Sequence, residues 1–288
     1  MKPLFKEIAA CPVCQQLLEW EAETVRCTGP GCGRSYSLAG DVPILDLSED
    51  NGSIADPVPD PNARSGLRRM ASSFLRVESS TYKTRQGRER QPRFIASLGP
   101  DAIVLNVGAG KTDFGARVVN LDIGPFPNVD VVGRSEWLPV RDHAVDAVIT
   151  IGVLEHVGDL AETLKEIDRV LRPGGQVFHE VPFIQGKHGS IDHRRFTYQG
   201  AAALVDDYEL LDEGVAVGPS SALGWILAEW FALLFSFGNA RIFSVASRLF
   251  SKIFSPIRYF DAILEQRPEA RVTACSLFVQ ARKPEISS

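Results

Sequence analysis

The sequence lacks both an N-terminal secretory signal and a segment long enough to span a membrane. Its first seven residues, MKPLFKE, contain no apolar stretch like that of a secretory leader. Its most apolar stretch, residues 222–235, is too short and too interrupted to cross a bilayer. A net charge of −5 over 288 residues argues against a general nucleic-acid binder. We therefore expect a cytoplasmic, globular protein.

Cysteine is also scarce, and four of the five cysteines form two closely spaced pairs. Cys11 and Cys14 are followed, after twelve residues, by Cys27 and then Cys32. In a cytoplasmic chain such pairs indicate metal binding before disulfides. Four thiolates on two turns can surround one tetrahedral Zn²⁺ and leave no open position, which predicts a structural zinc site within residues 1–48.

A glycine is missing where a dinucleotide-binding turn would need one. The turn Gly108-Ala109-Gly110 has Asp113 at the position of the third glycine, and no glycine at position 105 for a phosphate-binding P-loop. The turn follows one apolar run, residues 103–107, and precedes a second run that ends at Asp122. Ligands of doubly wound sheets bind at the carboxyl ends of strands, where a carboxylate can accept hydrogen bonds from two ribose hydroxyls. The pattern predicts a nucleoside cofactor other than NAD.

Short apolar runs alternate with an amphipathic helix in the middle of the chain. Strands are predicted at 129–132, 144–150 and 176–181, with a helix at 160–171 between the last two. Two further strands are predicted at 208–211 and 273–280. This alternation predicts an α/β fold with a doubly wound, mostly parallel sheet.

Four blocks of this region, VLNVGAG, VVNLDI, LPVRDHAVDAVITIGVLEHV and EIDRVLRPGGQVFHEVP, resemble class I S-adenosylmethionine-dependent methyltransferases of type 11. The first 48 residues resemble the small zinc-ribbon family that activates methyltransferases. The resemblance implies a seven-stranded Rossmann-like sheet, S-adenosylmethionine as the cofactor and transfer of a methyl group.

The resemblance also implies cofactor-binding roles for nine residues, Asn106, Gly108, Ala109, Gly110, Asp122, Ile123, Glu136, Trp137 and Leu138. Asp122 would bind the ribose hydroxyls, and Ile123, Trp137 and Leu138 would line the adenine pocket. Two positions depart from the family. Asn106 stands where the family usually has an acid, and Arg134 stands where an acid often binds the adenine amino group. Glu136 is the candidate to replace that acid.

Three of the five histidines lie in residues 179–200, directly after the fifth predicted strand. We predict His188, Asp192 and His193 as catalytic residues, in which a histidine removes a proton from the acceptor and the aspartate orients it. Arg194, Arg195 and Tyr198 are predicted to bind the substrate through a phosphate, a carboxylate or a sugar ring. The alternative is a polar loop whose histidines and aspartate bond only to each other and to the backbone.

Two further segments carry basic or apolar side chains. Residues 64–93 contain nine basic and two acidic residues, which indicates either a solvated helix or contact with an anionic surface. Residues 218–270 form an insertion before the last strand, with a stripe at 242–257 that is rich in Phe and flanked by Arg241, Arg248, Lys252 and Arg258. A helical lid on the domain, an interface in a homodimer and contact with a membrane through 222–258 remain alternatives.

The predicted organisation is a zinc ribbon (1–48), a linker with a basic helix (49–92) and a methyltransferase domain (93–288). The preferred acceptor is a glycan or lipid-linked glycan at the membrane surface, because the apolar insertion leaves from the ligand-binding edge of the sheet. The arginine-rich linker and the ribbon leave open an RNA or protein methyltransferase. The third alternative is a non-catalytic protein that binds the cofactor or acts as a scaffold.

Overall fold

The computed structural model describes residues 1–47, 82–189 and 191–285. The chain begins with helix α1 (Pro3–Ile8) and a small antiparallel sheet of β1 (Leu18–Trp20), β2 (Thr24–Cys27), β3 (Ser35–Ala39) and β4 (Val42–Pro43). The predicted linker and the first part of the predicted basic helix lie outside the described residues. The described part of that helix is α2 (Arg85–Ser97).

A second sheet of seven strands forms the centre of the molecule. Its strands are β5 (Val104–Val107), β6 (Val118–Asp122), β7 (Val131–Val132), β8 (Val145–Ile151), β9 (Leu171–Pro182), β10 (Glu209–Val217) and β11 (Ser276–Arg282). The spatial order is β10-β11-β9-β8-β5-β6-β7, in which only β11 runs antiparallel to its neighbours. This topology confirms the predicted doubly wound, mostly parallel fold. β5, β6 and β7 are buried along their whole length, as expected for strands covered on both faces.

Helices cover the sheet and fill the insertion. They are α3 (Leu160–Val170), α4 (Tyr198–Ala202), α5 (Pro219–Ser236), α6 (Ala240–Phe254) and α7 (Asp261–Leu264). The last three lie between β10 and β11, so the insertion before the final strand is helical as predicted. In the described parts of the chain, no helix combines the length and apolar character needed to cross a membrane.

The fifth strand of the central sheet begins earlier than its sequence suggests. The predicted helix extends to residue 171 and the predicted strand begins at 176, with Pro173-Gly174-Gly175 between them, yet β9 starts at Leu171. Leu171 pairs with Val145, and the regular register resumes only where Ala147 pairs with Gln176. The glycines therefore form an irregularity inside the strand, and the helix before it ends at Val170.

The N-terminal module packs against the edge of the central sheet. Ile44 forms a parallel bridge with Val132, and Ala9 forms an antiparallel bridge with Val140. The N–H of Leu45 donates to the carbonyl of Val132 at 2.8 Å. Apolar side chains of the module belong to the same buried cluster as those of the central sheet. The module therefore docks along the β7 edge of the central sheet.

Candidate functional site

The glycine turn and Asp122 meet at the carboxyl ends of two adjacent strands. Asp122 ends β6, and its Oδ2 accepts the N–H of Gly110 at 2.7 Å while its Oδ1 accepts the N–H of Gly124 at 3.0 Å. Gly108 follows β5 at φ +70°, and a Cβ there would lie 2.2 Å from a methyl group of Val153. Only glycine fits this position, because both the backbone angle and the space exclude a side chain.

This turn fits a nucleoside cofactor. Gly110 has φ +53°, and no atom lies within 4 Å of the place where its Cβ would be. Each oxygen of Asp122 accepts one backbone N–H, so each keeps a second lone pair that can accept a ribose hydroxyl. Ile123 and Trp137 are 44% and 41% exposed and can offer apolar surfaces to an adenine ring. The chain therefore presents the predicted cofactor-binding groups at one edge of the sheet.

Three other predicted cofactor residues have different surroundings. Leu138 is fully buried, so its side chain packs in the core and is not available to line an adenine pocket. Asn106 is also buried, and its Nδ2 donates to Asn120 on the neighbouring strand at 3.0 Å. Glu136 accepts a hydrogen bond from Ser135 at 3.2 Å.

Arg134, which stands where an acid was expected from the resemblance, contacts the N-terminal module. Its Nε donates to Asp46 of the N-terminal module at 3.0 Å, so the guanidinium contributes to the contact between that module and the sheet. An acid at this position would face the carboxylate of Asp46 instead of pairing with it.

A second group of polar side chains lies beside the glycine turn. Glu155 follows β8 and is only 1% exposed. Its Oε1 lies 3.2 Å from Nε2 of His188 and 3.7 Å from Nε2 of His156. Val153, which packs against Gly108, is two residues away in the same loop. The carboxylate and the two imidazoles therefore form a compact cluster next to the proposed cofactor site.

Two atoms of this cluster are buried without a hydrogen-bond partner within the part of the chain that the structure describes. They are Oε2 of Glu155 and Nδ1 of His188. If the proton of His188 is on Nε2, it donates to Glu155 and leaves a lone pair on Nδ1. That nitrogen is then unprotonated, and the ring can take up a further proton.

Burial sets the protonation of the pair. It raises the pKa of Glu155 to about 7, mainly because the charged carboxylate loses water. Burial, together with the nearby His156, lowers the pKa of His188 below its ordinary value. At neutral pH the imidazole of His188 is therefore neutral, as a proton acceptor must be.

The predicted partner of His188 is different from the observed one. We expected Asp192 to orient the imidazole, but its Oδ2 is 4.0 Å from Nδ1 of that ring. Asp192 accepts the backbone N–H of His188 at 3.0 Å and binds Arg195 through both carboxylate oxygens. Arg195 holds the pKa of Asp192 well below its usual range. Glu155, which the sequence analysis missed, takes the role expected of Asp192.

The remaining predicted residues of this loop contact protein groups. His193 is exposed, and its backbone N–H donates to the carbonyl of Glu155 at 2.9 Å. Arg194 donates to the carbonyls of Leu154 and Gly158, both at 3.2 Å. These bonds fix the histidine loop to the loop after β8. Arg194 therefore has a positioning role in this structure.

Tyr198 and Arg195 are likewise engaged. The hydroxyl of Tyr198 donates to Glu213, and the guanidinium of Arg271 lies 4.4 Å from its ring centroid. Besides Asp192, Arg195 donates to the carbonyl of Gly186 at 2.8 Å. Their predicted contacts with substrate stay predictions.

Helix α5 borders the histidine cluster. The indole ring of Trp225 is 6.2 Å from the ring of His188 in an edge-to-face arrangement. Its Nε1 donates to Glu229, one turn further along the helix, at 2.7 Å. The apolar insertion therefore begins beside the candidate proton acceptor.

The four paired cysteines converge in the N-terminal module. Their Sγ atoms all lie within 4.8 Å of one another, with 3.8 Å between Cys11 and Cys32 and 3.3 Å between Cys14 and Cys27. Four thiolates at the usual Zn–S distance form a tetrahedron with edges of about 3.8 Å. A Cβ on Gly29 would lie 3.0 Å from the sulfur of Cys14, so the turn needs glycine there.

Comparisons with known proteins agree on the class of the central domain. Residues 108–179 match the family described as a methyltransferase domain, which confirms the predicted methyltransferase class. A protein of Mycolicibacterium smegmatis named as a probable S-adenosylmethionine-dependent methyltransferase is 34% identical over 27% of this chain and 37% of its own length. An uncharacterized chloroplastic methyltransferase of Arabidopsis thaliana is 26% identical over 74% of each chain.

One solved structure aligns over nearly the whole chain. It is 1,6-didemethyltoxoflavin-N1-methyltransferase of Burkholderia thailandensis, with 16% identity, a TM-score of 0.44 and coverage of 93% of this chain and 99% of that one. A likeness at this level does not bear on the substrate. The match spans only about a third of the length of the M. smegmatis relative, so that relative does not establish the activity of the whole protein. The resemblance of the N-terminal module to methyltransferase activators stays a prediction.

Proposed function

We propose that this chain is an S-adenosylmethionine-dependent methyltransferase that acts on an O or N acceptor. The observation that carries the proposal is the arrangement at the carboxyl ends of β5, β6 and β8. There the glycine turn and Asp122 lie next to the buried pair of Glu155 and His188. The match of residues 108–179 to a methyltransferase domain supports the same class.

When bound, S-adenosylmethionine would supply an electrophilic methyl group for transfer to the acceptor oxygen or nitrogen. The residues of this chain bind the cofactor at Asp122 and handle the acceptor proton at His188. As the new bond forms, the imidazole of His188, whose side chain is 31% exposed, takes the proton that a hydroxyl acceptor loses. The carboxylate of Glu155 stabilises the resulting imidazolium through Nε2 at 3.2 Å. The products are the methylated acceptor, S-adenosylhomocysteine and one proton on the enzyme.

The preferred acceptor is a glycan or a lipid-linked glycan. Two observations support it over a small polar metabolite. The proton acceptor lies beside Trp225, whose ring can stack on a sugar, and the helix that carries this residue is predominantly apolar. In this proposal α5 forms one wall of the acceptor site.

Transfer of labelled methyl groups tests the proposal. Purified protein with labelled S-adenosylmethionine is incubated with lipid-linked glycans, free glycans, RNA and protein fractions. We expect label in the glycan fractions, and loss of most transfer in His188→Gln but not in His193→Gln, an exposed histidine of the same loop. Transfer to RNA or protein alone would overturn the acceptor class. Equal activity of both variants would overturn the role of His188.

The four cysteines of the N-terminal module hold one structural Zn²⁺ in this account. The sulfur distances and the absence of an open ligand position support a structural ion rather than a catalytic one. Such an ion stabilises a module whose short strands bury few side chains of their own.

A further inference from the structure

The helical hairpin formed by α5 and α6 has apolar side chains on both its inner and its outer surface. Inside, the ring of Phe231 lies 5.3 Å from that of Phe250 and 5.2 Å from that of Phe254, and these contacts join the two helices. Outside, α6 has no buried residue. The predicted single stripe of this helix therefore divides into an aromatic inner face and an exposed aliphatic face, formed by Ile242, Val245, Leu249 and Ile253.

The hairpin tip carries a cluster of exposed apolar side chains. It consists of the large side chains around the connection between the helices, Leu233, Leu234, Phe235, Phe237 and Ile242. Phe237 is 88% exposed and Leu233 is 63% exposed. Exposed apolar clusters of this kind on a folded domain mark surfaces that bind a partner or a membrane.

The exposed charge on α6 has one sign. Arg241, Arg248 and Lys252 are exposed on this helix, and residues 230–257 contain no acidic residue, although the whole chain has a net charge of −5. Basic side chains therefore lie along the helix that carries the exposed aliphatic face.

We infer that the hairpin tip inserts into the interface of an anionic lipid bilayer, with its basic side chains against the headgroups. A second copy of this chain would bring the same basic residues against one another, whereas anionic headgroups complement them. An apolar tip flanked by arginine and lysine, on helices unable to span a membrane, is the form that interfacial binding takes.

The hairpin also brings the active site near the bilayer, a step that rests on the proposed function. Trp225, beside His188, and Phe235 in the tip are ten residues apart on α5. At about 1.5 Å per helical residue, they are separated by about 15 Å along the helix axis. With the tip in the interface, this separation keeps the proton acceptor within reach of an acceptor group carried on a lipid.

Vesicle binding tests the surface without using the enzymatic activity. Purified full-length protein is sedimented with vesicles of phosphatidylcholine alone or of phosphatidylcholine with phosphatidylglycerol. We expect binding to the anionic vesicles that weakens with salt. The tip variant Leu233→Ser/Phe237→Ser should bind about tenfold more weakly to them. Replacing Arg241 and Arg248 by Ser should weaken binding about fivefold per residue.

Leu17→Ser provides the matched control, because this leucine is 59% exposed in the N-terminal module, and should leave vesicle binding unchanged. Unchanged binding of the tip variant would overturn the inference. So would light scattering that shows a dimer which the tip variant dissociates, since a second copy would then cover the tip. Calorimetric titration of the same proteins with S-adenosylmethionine reports separately on the proposed function.

Discussion

Replacing Glu155 by Gln should make the protein more stable above neutral pH while impairing catalysis. The reason is that burial raises the pKa of this carboxyl from 4.5 to about 7. Below pH 4.5 both the folded and the unfolded state hold the proton, and the group has no effect. Above pH 7 the folded state must bury a charged carboxylate, which lowers the free energy of unfolding by about 3 kcal/mol. Glutamine has nearly the same shape and no charge, so the variant escapes this loss.

Urea unfolding at two pH values measures the effect. We expect Glu155→Gln and the wild type to unfold at similar urea concentrations at pH 4.5, and the variant to be more stable by up to about 3 kcal/mol at pH 8. Glu209→Gln is the control, because the side chain of Glu209 is 62% exposed and should show no such divergence. A variant that is no more stable than the wild type at pH 8 would refute the argument. It would mean that the neighbouring imidazoles fully compensate the buried charge.

The remaining predictions concern the turn, the zinc and the proton acceptor. Gly108→Ala should lower the free energy of unfolding by about 2–4 kcal/mol, because a Cβ there would lie 2.2 Å from a methyl group of Val153. Gly110→Ala should lower it by only about 1 kcal/mol, because the space around this position is open. Equal losses in chemical denaturation would contradict this. Elemental analysis should find one zinc ion per chain, and the Cys275→Ser variant should retain it. Removal of the zinc by a chelator should lower the melting temperature of the protein. A metal-free protein with the same melting temperature would contradict a structural role for the ion. The kcat/KM of methyl transfer should fall as the pH drops below about 7, because the pair of Glu155 and His188 then already holds a proton and cannot accept one from the substrate. A flat profile between pH 5.5 and 8 would exclude Glu155 and His188 as the proton-accepting pair.

The arrangement of the glycine turn and Asp122 could be predicted from sequence because its signals are local. An apolar run followed by glycines marks a buried strand and a turn. An acid at the end of the next strand is then close in space, because the ends of adjacent parallel strands meet at one edge of the sheet. Gly108, Gly110 and Asp122 follow this rule, and the structure brings them together.

The acceptor half could not be predicted with the same success, because its contacts join distant parts of the chain. Glu155 and His188 are 33 residues apart and meet only because β8 and β9 are neighbours. Proximity in sequence favoured Asp192 as the partner of His188, but a guanidinium three residues further on binds that carboxylate instead. The LEHV block, with an acid and a histidine after the fourth strand of the domain, was the one signal that could have pointed to Glu155.

The contact between Arg134 and Asp46 shows the same limit. The two residues are 88 positions apart, and part of the chain between them lies outside the described residues. From the sequence, Arg134 was a departure from the family that weakened the cofactor site. In the structure it is part of the contact between the N-terminal module and the edge of the sheet, a role that depends on the docking of the whole module.

The most direct test of the account is calorimetric titration of the full-length protein with S-adenosylmethionine and S-adenosylhomocysteine. We predict saturable binding of both, lost in Asp122→Ala and kept in Asp101→Ala, which changes an exposed aspartate just before β5. Melting curves of both variants establish that they are folded. Absence of binding to the wild-type protein, or equal binding by the Asp122 variant, would contradict the assignment of the glycine turn and Asp122 as the cofactor site.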